Sequence, residues 1–72
     1  MNICYSVIFA KDNNKYIGVD QNSGGYPFYT DLLPSARLWI REDYKSYMET
    51  NKREALLKNW VVLPVIVGAE FQ

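Results

Sequence analysis

Tyr16-Ile17-Gly18-Val19-Asp20-Gln21-Asn22-Ser23-Gly24-Gly25-Tyr26-Pro27-Phe28-Tyr29-Thr30-Asp31 joins a strand-like run to a turn with adjacent glycines, then to three aromatics in four positions. Adjacent glycines admit backbone conformations that a side-chain carbon forbids, so the chain reverses here. Tyr16 to Val19 and Tyr26 to Thr30 are expected as strands on either side of the turn. Pro27 lacks a donor and places the second of them at a sheet edge. Alternation puts Tyr26 and Phe28 on one face, Pro27 and Tyr29 on the other.

The preceding segment extends this pattern. Ile3, Tyr5, Val7 and Phe9 alternate with Cys4, Ser6, Ile8 and Ala10, which reads as a first strand with its larger side chains on one face. Asp12-Asn13-Asn14 accepts the dihedrals of a tight hairpin, so Tyr16 to Val19 returns antiparallel to that strand. Beyond Asp31 the period changes. Pro34 suits the first turn of a short helix, while Leu38-Trp39-Ile40 is compatible with either an extended or a helical state. Glu42 and Asp43 then favour a helix start, with Tyr44, Tyr47, Met48, Asn51 and Ala55 as its inner stripe. Asn51 is its weak point, dividing a helix over about 41 to 51 from a second segment over 52 to 58.

Trp60 to Phe71 has strong strand propensity and is apolar on both faces. Such a pattern asks for cover on both sides, yet so short a chain carries only enough helix for one face of a sheet. Pro64 implies a bulge or an edge position. Two placements satisfy these facts: an edge strand that meets a second copy or a partner, or a central strand whose Trp60, Val62 and Ile66 side lies under Leu38 to Ile40. The expected fold is α+β, a three- or four-stranded antiparallel sheet with one or two helices packed on one face, in a single small domain over residues 1 to 72.

A 72-residue chain buries only roughly 60% of the surface its unfolded form exposes, and small domains often compensate with disulfides, metals or a second subunit. Cys4 is the sole cysteine and histidine is absent, which excludes an internal disulfide and a zinc site of cysteine and histidine ligands. Oligomerisation remains, hence the expectation of a homodimer through Trp60, Val62 and Ile66. The N-terminus lacks a positive leader and a cleavage region of small residues, and no apolar run approaches ~20 residues, so a cytoplasmic protein without a membrane span is expected.

Eight acids balance eight bases. A small nucleic-acid binder usually relies on excess positive charge, so nucleic acid is an unfavoured partner. The surplus that exists lies in 37 to 58, where Arg37, Arg41, Lys45, Lys52, Arg53 and Lys58 face four acids. A solvated helix face explains this segment; the alternative function is a small nucleic-acid-binding module that uses it.

Candidate chemistry is thin. Asp20, Asn22, Gly25 and Asp31 echo a calcium loop, but Gly24 supplies no ligand where one is wanted and the flanking segment reads as strand. No lysine follows the glycines at phosphate-loop spacing. Cys4 has no histidine base and reads as a buried structural thiol. Neither Glu42 with Asp43 nor Asp20 with Asp31 has a spacing that specifies acid and base roles. The inventory therefore argues for a protein that is not an enzyme and implies no metal and no cofactor. Aromatics are the remaining resource, because they offer large contact area at small entropic cost. Tyr26, Phe28, Tyr29 and Asp31 form the candidate partner-binding patch.

Lys15-Tyr16-Ile17-Gly18-Val19-Asp20, Ser23-Gly24-Gly25-Tyr26-Pro27, Ala36-Arg37-Leu38-Trp39 and a helix with the Tyr47-Met48 pair together resemble short uncharacterised proteins encoded by phages and prophages. The resemblance spans about residues 4 to 67 and carries no catalytic motif. It implies a size class and a way of acting: such proteins commonly bind a host protein, including defence nucleases and polymerase. The function expected is a non-catalytic protein-binding module, a phage-encoded inhibitor or modulator of a host or defence protein in the host cytoplasm.

Overall fold

The computed structural model describes residues 2 to 68, with side chains from 4 to 66. In chain order they form β1 (Asn2–Ala10), β2 (Lys15–Asp20), β3 (Tyr26–Thr30), β4 (Trp39–Ile40), α1 (Tyr44–Thr50), α2 (Lys52–Leu57) and β5 (Trp60–Gly68). The strands make one antiparallel sheet with the helices on one side, an α+β fold. Beyond the four longer strands, the sheet contains β4, the two-residue pair within Leu38-Trp39-Ile40 whose state the sequence leaves open. The strand expectation for Met1 and for Ala69 to Phe71 falls outside the described residues.

β1 is the centre. Along one edge it pairs with β5 without interruption from Asn2 opposite Gly68 to Ala10 opposite Trp60, so Pro64 is accommodated without a bulge. Its other edge is shared: Phe9 and Ala10 meet Tyr16 and Lys15 of β2, whereas Tyr5 and Ser6 meet Ile40 and Trp39 of β4. The Arg37 amide donates to the Ile17 carbonyl at 3.2 Å, so the segment leading into β4 is held by β2 as well as by β1. β3 lies beyond β2, from Tyr16 opposite Thr30 to Asp20 opposite Tyr26.

This register assigns the faces. Paired residues in an antiparallel sheet point the same way and alternate along each strand. Ile8, Ala10, Ile17 and Trp60 form the core on the helical side, against Tyr29, Trp39, Tyr44, Tyr47, Met48 and Ala55. Of the inner stripe expected of the helices, Tyr44, Tyr47, Met48 and Ala55 are in place, whereas Asn51 is not part of this core. Asn51 separates the helices as the sequence suggests: at φ −109° and ψ 35° it leaves helical geometry, and its side-chain amide donates to the Tyr47 carbonyl at 2.9 Å.

The closing strand takes the edge placement. The alternative of a central β5 beneath Leu38 to Ile40 is not adopted, because β4 lies on the opposite edge of β1 and the helical layer covers Trp60 instead. Cys4 also departs from expectation: it is exposed. It pairs with Ile66 near the far end of β1, while the helices pack over the opposite end, around Ile8 and Ala10.

Candidate functional site: the helix-free face of the sheet

The glycine turn is built from local polar contacts. Asp20 opens a 3-10 turn over Gln21–Ser23, its carboxylate accepting the Asn22 amide at 3.0 Å, and Gly24 closes it at φ +75°. Gly25 follows at φ +84°, and its carbonyl accepts the Tyr47 hydroxyl at 2.8 Å. That bond ties the turn to α1. Between them lies a groove of about 620 Å³ lined by Val19, Gly24, Gly25, Tyr26, Tyr47 and Asn51, among others. Tyr47 and Asn51 already spend hydrogen-bond donors on backbone carbonyls, and the lining contains no ionisable acid or base apart from tyrosine, so the groove has no acid–base pair to offer. Asp31 makes an ion pair with Lys15 at 2.7 Å, which commits the two acids of the calcium echo to separate structural tasks.

The sheet divides the four residues of the expected contact patch. Tyr26 and Phe28 project on the helix-free face, at 71% and 37% exposure; Tyr29 points to the helical side. There the Tyr29 hydroxyl donates to the Glu54 carboxylate of α2 at 2.5 Å. Burial first, then the bond to Glu54, push its pKa up to about 12, while the neighbouring Trp60 indole pulls slightly the other way. Tyr47 is likewise raised by burial. Tyr29 therefore joins sheet to helix, and only Tyr26 and Phe28 remain on the face that a partner can reach from that side.

The second expected patch is also dispersed. Trp60 is 6% exposed and lies parallel to Tyr47, ring centroids 6.3 Å apart, which makes it a core residue with no free surface in the single chain. Val62 is half-buried, and Ile66 alone is open, at 67%. The basic residues of 37 to 58 do not make a continuous stripe. Arg37 stacks its guanidinium 4.8 Å from the Trp39 ring centroid, Lys45 pairs with Glu42 at 3.0 Å, and Lys58 is half-buried, leaving Arg41, Lys52 and Arg53 as exposed bases that make no ion pair among the described residues.

What the patches leave is the helix-free face as a whole. Tyr5, Val7 and Phe9 of β1, Tyr16 of β2, Tyr26 and Phe28 of β3, Ile40 of β4, and Val61, Leu63 and Val65 of β5 all point this way. Val7 is buried, whereas Ile40 and Leu63 stand 57% and 37% exposed. Phe9 and Tyr16 meet edge to face at 5.4 Å. Among the described positions of these strands Asp20 is the single charged residue on this face, and its carboxylate is turned to its own backbone. An antiparallel sheet that turns one face to water ordinarily alternates apolar with polar residues, and this one does not. The signal for this face is the apolar-on-both-sides pattern of Trp60 to Phe71, but that pattern does not tell which side the helices take.

No helix among the described residues is long and apolar enough to cross a membrane. Comparison with protein-family models, with curated proteins and with solved structures returns no match. Fold and face together define a small α+β domain with helices on one side of its sheet and an apolar, almost uncharged surface on the other.

Proposed function

We propose that this chain is a non-catalytic protein-binding module that receives its partner on the helix-free face of the sheet. One observation carries the reading: ten apolar or aromatic side chains from five strands share that face with a single charge at its rim. Contiguous apolar surface of this kind marks interaction sites in small proteins. The absence of charge also restricts the partner, because a lysine or carboxylate pressed against Leu63 or Phe28 would lose its water without gaining a counter-charge. The partner is therefore a protein with an uncharged, apolar docking surface.

The resemblance to short phage and prophage proteins supports a finer version, in which the partner is a host or defence protein that the module inhibits or modulates in the bacterial cytoplasm. A photo-crosslinking residue placed at Leu63 or at Tyr26, with Glu49 on α1 as the control position, tests both levels in bacterial lysate. A single covalent adduct at the two sheet positions and none at Glu49, whose isolated partner then binds a Leu63→Glu variant at least tenfold more weakly, supports the reading. Adducts that form equally at Glu49, or no adduct on the face, overturn it. An adduct of twice the chain mass identifies the partner as a second copy and removes the host-protein version.

A further inference from the structure

Two outer strands of the sheet, β5 and β3, each carry a proline, and the hydrogen-bond phase determines which way each one points. The Lys11 amide donates to the Asn59 carbonyl at 3.1 Å, so odd-numbered residues continuing into β5 turn their N–H and C=O groups toward β1. Even-numbered residues of β5 turn theirs to the free edge, because the two groups of one strand residue lie on the same side and alternate along the chain. Pro64 is in the outward set, at the midpoint of Trp60–Gly68. β3 shows the same alternation at its free edge. Ile17 spends its carbonyl on Arg37, away from β3, so Tyr16, Gly18 and Asp20 are the β2 residues that bond to β3. Tyr26, Phe28 and Thr30 face them, and Pro27 with Tyr29 face outward.

We infer that Pro64 and Pro27 close the free edges of β5 and β3 to strand addition, by this chain or any other. A proline in the outward phase withholds a donor and also sets a ring methylene where a neighbouring carbonyl would have to sit. On β5 the block falls at the centre of the described strand, separating the outward N–H groups of Trp60 and Val62 from those of Ile66 and Gly68. No charged residue guards β5, so the proline is the edge's main defence in a nine-residue, apolar strand. The consequence reaches the expected homodimer: copies of this chain do not associate by continuing the sheet through β5. This conclusion rests on the strand ladder and holds whatever the partner of the helix-free face proves to be.

The test compares the full chain with its Pro64→Val variant, and with Pro64→Val/Ile66→Pro, which returns a proline to the outward phase at an exposed position. In the wild type, the Val62 and Ile66 amides exchange with solvent deuterium at least tenfold faster than those of Leu63 and Val65. Pro64→Val slows exchange at Val62 and Ile66 by a similar factor, and light scattering gives it about twice the wild-type mass or more. The double variant reverts to the wild-type mass. Protected Val62 and Ile66 amides in the wild type overturn the inference without recourse to any variant. An unchanged mass for a folded Pro64→Val chain, judged by its circular dichroism, overturns it as well.

Discussion

Gly18 and Phe28 stand directly opposite each other on β2 and β3, and the phenyl ring lies across the glycine. A β-carbon built on Gly18 would come within 2.6 and 2.7 Å of Phe28 Cε2 and Cε1, and closer still to Cζ. The ring fills the space that a side chain would occupy and buries the glycine backbone on the helix-free face, the arrangement by which an aromatic offsets the weakness of a strand glycine. Gly18→Ala displaces the ring and is expected to cost about 1–3 kcal/mol. Phe28→Ala uncovers the glycine. Because each change removes the reason for the other's cost, the double variant should be less destabilised than the sum, with a coupling of roughly 0.5–3 kcal/mol from urea unfolding.

Gly24 and Gly25 resist substitution for the opposite reason. A β-carbon at either would meet nothing within 4 Å, yet their φ angles of +75° and +84° lie where L-residues are strained. Alanine at each should cost about 1 kcal/mol through the backbone alone. Asparagine at Gly24 should cost less, since its side chain tolerates this region. No second-site truncation restores Gly24→Ala, which distinguishes it from Gly18→Ala in the same urea assay.

Trp60 links β5 to α1 through its stack on Tyr47, and Tyr47 in turn leans on Trp39 at 5.3 Å. Trp60→Ala opens a cavity in a core of few fully buried side chains and should cost about 3–5 kcal/mol. A domain of this size has little more than that to lose. The variant is expected to lose cooperative thermal unfolding, while Leu63→Ala on the opposite face retains it.

Alkaline pH weakens the sheet-to-helix tie through Tyr29. Its pKa is about 12 in the fold against about 10 in the unfolded chain, so between those values the unfolded state has released a proton that the folded state keeps. The unfolded state binds fewer protons there, and stability falls as pH rises. The contribution is complete below pH ~10 and has gone by the folded value of about 12. Tyr47, raised by burial in the same core, adds to the decline. Urea midpoints measured from pH 8 upward should fall along this window, and Tyr29→Phe should flatten much of the fall. That variant should also be less stable at pH 8, by roughly 1–2 kcal/mol, because the half-buried Glu54 loses its donor.

The four longer strands and both helices are legible in the residue pattern, whereas β4 and the start of α1 at Tyr44 rather than near Arg41 are not. Period-two alternation marks β1, the asparagine-rich and glycine-rich turns mark the hairpins, and the break at Asn51 is visible because asparagine competes with the helix through its own side chain, as its bond to the Tyr47 carbonyl shows. Local chemistry of this kind acts within a few residues and can be read within a few residues. It also separated Tyr26 and Phe28 from Tyr29, since alternation is a property of the strand alone. Which face the helices cover is set by packing between segments distant in sequence. Trp60, Tyr29 and Ile66 are equally apolar in a one-dimensional reading, and their fates as core, tie and open surface depend on where α1 and α2 land over β1 and β5. The same holds for the two prolines: the sequence places them at edges, but whether their missing donors face inward or out depends on the hydrogen-bond phase with a strand up to sixty residues away, which only the folded chain establishes.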